Sequence, residues 1–188
     1  MKQFAFAAAL VALGASSAAA DPFIDALETA LEAYQDGDLQ YAEDELTEAQ
    51  RILSEMKAQG LAAFLPDAPE GWEREIDTDA AAGMLGFMGG GVMAKASYHG
   101  PSDSFELTLM ADNPMVAQLA MMLGNSAMIA QMGGQLERIN RTRFLREDRS
   151  LRAIIANRIL ITAEGADPDL MIPVLEEMDF RAMESFGG

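Results

Sequence analysis

From Asn113 to Leu136 the chain carries no charged residue, although roughly one residue in four of an average soluble domain is charged. Such a stretch is either buried in the protein or set against something apolar. Asn113 is a good N-cap and Pro114 a good first helical residue, so a helix is predicted to start here. It runs through Met115, Val116, Leu119, Met122, Leu123, Ile129 and Met132, and Gly133-Gly134 ends it. Gly124 is a point at which it can break. Gln118 and Asn125 form one polar stripe and the remaining faces are apolar, the pattern of a helix covered on most sides by a sheet or a partner.

Residues 1–20 have the make-up of a signal peptide: Lys2, an apolar core from Phe4 to Leu13, and small residues from Ser16 to Ala20. Cleavage after Ala20 leaves a mature chain opening Asp21-Pro22. The apolar core is shorter than the roughly 20 residues a membrane span needs, so no transmembrane anchor is expected and the product is exported and periplasmic. With no Cys there is neither a lipid-bearing thiol nor a disulfide, and the core alone holds the fold. The 188-residue chain less this leader suffices for one ordinary domain, or a small domain with an appendage. The formal net charge is −17, and −18 once Lys2 is gone. That excess excludes non-specific binding of nucleic acid and of anionic membrane surfaces.

Pro22 to Gly60 is patterned as helix, tight turn, helix. Phe23, Leu27, Leu31 and Tyr34 share one face of the first helix, and Asp36-Gly37-Asp38 turns the chain. Leu39, Ala42, Leu46, Ala49, Leu53 and Met56 share a face of the second. Pro66, Pro69 and Gly71 mark residues 61–71 as a linker. Trp72 to Thr78 reads as a strand. A glycine-rich apolar loop follows from Asp79 to Gly91, and then a hairpin of Val92 to Tyr98 and Ser104 to Ala111 around Gly100-Pro101-Ser102-Asp103. Beyond the uncharged helix, Gln135 to Asn140, Thr142 to Arg146, Leu151 to Ala156 and Arg158 to Ala163 form a meander. Asp167-Pro168 opens a last helix with Leu170, Met171, Val174, Leu175 and Met178 as its apolar stripe, and the tail from Arg181 is loose. The fold class is therefore α+β: an N-terminal αα-hairpin plus an antiparallel sheet with helices packed on one face. The domains are a signal peptide 1–20, a helical hairpin 21–64, an α+β domain 65–181 and a loose tail 182–188.

Tyr34, Gly37, Asp38, Ala42, Leu46 and Ala49 resemble the inner part of one tetratricopeptide repeat. There is no second copy, so no peptide-binding superhelix follows. Leu65-Pro66 through Gly71-Trp72, the hairpin, Asn113-Pro114-Met115, Asn157-Arg158-Ile159-Leu160 and the closing helix resemble a group of small exported bacterial proteins without an assigned activity. The order of elements is also weakly similar to PsbP and Mog1 domains. These resemblances imply a fold and no catalytic residues.

Catalytic chemistry finds little support. The only His is His99, beside a turn, and there is no Cys and no Gly-x-Ser-x-Gly, so no enzyme is expected. The loop ending Gly91-Val92 lacks the Gly-Lys-Ser/Thr of a phosphate cradle. Asp36, Asp38, Asp77 and Asp79 do not continue into a calcium loop and read as turn and cap residues. Nine of the 14 Met lie from Met84 to Met132. Thioethers are soft Cu(I) ligands, but Met also fills cores, and no metal or cofactor is expected. Arg138, Arg141, Arg143, Arg146, Arg149, Arg152 and Arg158 contrast with residues 21–64, where eleven acids face only Arg51 and Lys57.

The chain thus reads as a non-catalytic periplasmic binding or protein-interaction module. The alternatives are a Met-based copper binder or a hydrolase with unrecognised residues. The candidate contact residues are Met84, Leu85, Phe87 and Met88 of the apolar loop together with Arg141, Arg143 and Arg146, and the partner is a protein, an apolar ligand or a second copy of the chain.

Overall fold

A computed structural model describes residues 21–77, 90–123, 129 and 134–187. The signal peptide, Met84, Leu85, Phe87, Met88, Met128 and Met132 lie outside the described residues. The chain divides into two compact units between Ala49 and Gln50.

In the first unit, α1 (Pro22–Asp36) is capped by the Asp21 carboxylate, which accepts from the Phe23 N–H, and ends at Gly37 with φ +84°. Asp38 accepts from the Tyr41 N–H at the start of α2 (Leu39–Ala62), so it serves as the expected cap. The buried stripe differs from the predicted one: Ala26, Ala30 and Ala33 are buried, whereas Leu31 and Tyr34 are 57% and 65% exposed. In α2 it is again the alanines, Ala42 and Ala49, that are buried, while Leu39 and Leu46 are exposed. Small side chains here mark the close contacts, and the leucines form an outward stripe.

The second unit begins inside α2, whose Ala58 and Leu61 join its core. The expected linker is pinned there: Leu65 is buried, and the carbonyl of Pro66 accepts from both Tyr98 Oη and Arg74 Nη1 at 2.7 Å. Strands β1 (Glu73–Asp77), β2 (Val92–His99), β3 (Ser104–Ala111), β4 (Gln135–Ile139), β5 (Thr142–Glu147), β6 (Ser150–Ile155) and β7 (Ile159–Glu164) make one antiparallel sheet in the order β1-β2-β3-β7-β6-β5-β4. Two meanders are joined where β7 returns beside β3, so that Leu109 faces Ile161.

Alternation along the strands divides the sheet into two faces. Val92, Ala94, Ala96 and Tyr98 pair in register with Ala111, Leu109, Leu107 and Phe105, and all eight are buried on the core face. Tyr98 stacks on Phe105 at 4.8 Å between ring centroids, and Trp72 lies so close to Gly100 that a Cβ there would sit 2.6 Å from the indole.

The uncharged helix starts as predicted, as α3 (Pro114–Leu123), with Asn113 Oδ1 accepting from the Met115 N–H at 2.8 Å. Its burial is less than expected: Val116 packs on Met93 and Met110, but Met115 is 46% and Met121 75% exposed. Met93 and Met110 belong to the face opposite the core, so α3 covers one part of that face. The expected one-sided packing holds for the closing helices: α4 (Pro168–Glu176), capped by Asp167, buries Met171, Val174 and Leu175 in the core cluster. The tail expected to be loose instead forms α5 (Phe180–Met183), with Met183 fully buried and Phe186 edge-on to Phe64.

Candidate functional site

Where no helix covers it, the second face of the sheet is polar and graded in charge. At the β1 edge it carries Glu73, Glu75 and Asp77, in register with His99, Ser97 and Lys95. Across the middle, Lys95 binds Glu106 at 2.6 Å, and Arg152 binds Glu147 at 2.9 Å. At the β4 edge it carries Arg138 and Arg143.

The hairpin β4-β5 turns through Asn140 and Arg141, with φ +44° and +69°. Two successive residues in the left-handed region make a type I′ turn, which matches the twist of the strands but favours glycine at its second position. An L-residue there costs about 1–2 kcal/mol. Arg141 occupies that position, exposed at the tip. The Asn140 amide nitrogen donates to the Glu176 carbonyl, tying the tip to the end of α4. The two-residue turn puts Arg138 directly opposite Arg143. Both are exposed, and like charges facing each other across a ladder are destabilising.

The other arginines of the run are occupied. Arg146 lies on the opposite face of β5 from Arg143, where its guanidinium meets Asp169 at 2.8 Å, Glu137 at 3.6 Å and Asp167 at 4.0 Å. The hydrogen bond it donates to the Asp169 carboxylate raises its pKa above the ordinary arginine value. Arg158 binds Asp112 at 2.8 Å, and Arg149 donates to the Gly165 carbonyl. Among the described residues, the guanidinium groups of Arg138, Arg141 and Arg143 have no acidic partner, although the Arg138 backbone N–H donates to the Glu137 carboxylate.

The candidate set thus divides. Arg141 and Arg143 share the free hairpin, Arg146 is bound on the other side of the sheet, and Met84, Leu85, Phe87 and Met88 lie outside the described residues. Arg138, absent from that set, belongs to the site. The signal for it was the Asn140-Arg141 turn, because a two-residue loop pairs the residues that stand five apart around it.

At the other end of the same face, a groove of about 730 Å³ is lined by Ser97, His99, Ser104, Glu106, Glu147 and Glu164 among others. Glu73, His99 and Ser104 lie in one row across β1, β2 and β3, the order of acid, imidazole and hydroxyl that nucleophilic catalysis uses. All three are exposed, and no hydrogen bond joins them. Such a row on an open sheet face supplies neither an activated nucleophile nor donors for an oxyanion.

Met93 and Met110 are packing residues under Val116, with Ile154 and Leu160 beside them. Among the described residues, no cluster of three or more His, Cys, Asp or Glu is placed to hold a metal ion, and no helix is long and apolar enough to cross a membrane. No protein-family model, curated protein or solved structure matches the chain.

Proposed function

We propose that the chain is an exported, non-catalytic binding protein that takes an anionic partner at the Arg138, Arg141 and Arg143 end of its open sheet face. One observation carries the reading: a single hairpin holds three arginines whose guanidinium groups have no acidic partner among the described residues, in positions that cost it stability. Arg138 and Arg143 repel across the ladder, and Arg141 occupies a backbone conformation suited to glycine. Strain and repulsion kept in one place are characteristic of binding sites, where the ligand relieves them. Arginine also suits the task chemically, because its planar fork meets a carboxylate or phosphate with two parallel hydrogen bonds.

Titration calorimetry with hexaglutamate and, as a control, hexalysine tests the reading. Hexaglutamate alone should bind, more weakly as salt is added. The triple variant Arg138→Gln, Arg141→Gln, Arg143→Gln should weaken it at least about tenfold, or ~1.4 kcal/mol. Absence of hexaglutamate binding, or equal binding by the triple variant, would refute the proposal. For export, protein recovered from the periplasm should begin at Asp21; a product retaining residues 1–20 would count against it.

A further inference from the structure

We infer that the helical hairpin is a second docking surface, and that its partner is a cationic amphipathic helix lying along the leucine face of α1 and α2. This surface is separate from the arginine hairpin and goes beyond the reading above.

The face follows from where small and large residues stand on each helix. On α1, Leu27, Leu31 and Tyr34 each come one residue after a buried alanine, so their row is turned about 100° from the alanine row. On α2, Leu39 and Leu46 stand three residues before the buried Ala42 and Ala49, a turn of about 60° in the same sense. In two helices that run in opposite directions with their alanines inward, equal senses of rotation put both rows on one side of the hairpin. Ile24 extends the row of α1. These six side chains are between 37% and 65% exposed, so an apolar face is left uncovered, and such faces mark contact sites. The opposite side is polar. There the Tyr41 phenol is held above its ordinary pKa, first by its hydrogen bond with Glu45 and then by the charges of Asp38 and, across the hairpin, Glu32.

Spacing selects the shape of the occupant. Ile24, Leu27, Leu31 and Tyr34 recur at intervals of three, four and three residues, and Leu39 and Leu46 are seven apart. Such spacing is the seam that receives the side chains of another helix. From Ile24 to Tyr34 the seam is about 15 Å long, so a partner helix of roughly three to four turns covers it.

Charge selects the chemistry. Residues 21–49 hold ten acids and no Lys or Arg. Glu28 stands four residues after Ile24 and three before Leu31, and Glu43 stands likewise between Leu39 and Leu46. An exposed carboxylate therefore borders each row on the side away from the alanines. Charges at the flanks of a helical seam set the choice of partner. Lys or Arg on either side of the apolar stripe of an incoming helix meets both carboxylates. A second copy of the hairpin would bring the same glutamates and no base, and would meet like charge along both margins.

The probe is a peptide of two Lys-Leu-Ala-Lys-Leu-Ala-Lys repeats, whose leucines recur at the same three, four and three spacing. Calorimetry and far-ultraviolet circular dichroism with the mature protein should show one peptide bound per chain, with a gain of helix. The counterpart with Ser for Leu, which keeps the charge, and the counterpart with Glu for Lys, which keeps the stripe, should each bind at least about tenfold more weakly. The pair Leu31→Gln, Leu46→Gln should weaken the lysine-leucine peptide as much and leave the urea midpoint unchanged, because both residues are exposed. The pair Glu28→Lys, Glu43→Lys should do the same without altering an apolar residue, and it keeps the test decisive if the glutamines disturb the hairpin. Absence of saturable binding, equal binding of the Ser peptide, binding without gain of helix, or binding indifferent to both pairs of changes overturns the inference. So does a dimer of the mature protein that the Leu31→Gln, Leu46→Gln pair dissociates, since the face then belongs to a second copy.

Discussion

Replacing Arg138 by Glu should make the protein more stable and less able to bind. Arg138 and Arg143 face each other in register on an exposed part of the sheet, where facing Cβ atoms are about 5 Å apart. Two unit charges at that distance in water interact by roughly 0.8 kcal/mol, so inverting one sign changes the pair by up to about 1.6 kcal/mol. Side-chain freedom and hydration reduce such values, and measured cross-strand pairs contribute roughly 0.2–1 kcal/mol each. A gain of about 1 kcal/mol is the reasonable expectation, equivalent to a rise in Tm of about 2–4 °C for a chain of this size. Urea unfolding at low ionic strength should show it as a higher midpoint with an unchanged slope. Arg138→Gln, which removes repulsion without adding attraction, should give about half the gain, and added salt should shrink both. If Arg138→Glu is no more stable than the parent at low salt, the repulsion is not present. The claim that this hairpin sacrifices stability for binding then fails with it.

Arg141→Gly should stabilise the tip by about 1 kcal/mol, because glycine adopts φ +69° without strain; an unchanged urea midpoint would mean the turn is not type I′. Burial pushes the pKa of Tyr98 up from 10.0 to about 12, so the folded state holds this proton more tightly than the unfolded chain. The resulting stabilisation is complete below pH 10 and is lost as pH rises through 12. Tyr98→Phe should lack that alkaline loss while costing about 1 kcal/mol near neutrality for the bond to the Pro66 carbonyl; an unchanged alkaline profile would contradict the assignment. Met183→Ala should cost about 2–5 kcal/mol, because Met183 is fully buried under the sheet. A cost near zero would restore the loose tail that the composition suggested.

Most of the second unit was legible because its signals are local. Asn113 before Pro114 and Asp167 before Pro168 each combine a capping side chain with a ring suited to the first helical turn, and both helices begin there. Period-two alternation located the strands of both meanders to within a residue or two. Non-local features were less accessible. Ala26, Ala30 and Ala33 have the same helical spacing as Leu27, Leu31 and Tyr34 one position along, and hydrophobicity favoured the larger residues, whereas close approach selected the smaller. Nor did any local signal show that Phe180 and Met183, beyond a natural stopping point, would fill the core.

The site illustrates why a count of charges is a poor guide to a charged surface. Seven arginines lie between residues 138 and 158, and Arg143 and Arg146 among them were both candidate contact residues. In a strand, residues an odd number apart lie on opposite faces. Arg146 accordingly meets Asp169, Glu137 and Asp167, while Arg143 meets only the like charge of Arg138. What separates a structural arginine from a binding one here is the register imposed by the Asn140-Arg141 turn. That turn gathers three cations that no described acid satisfies.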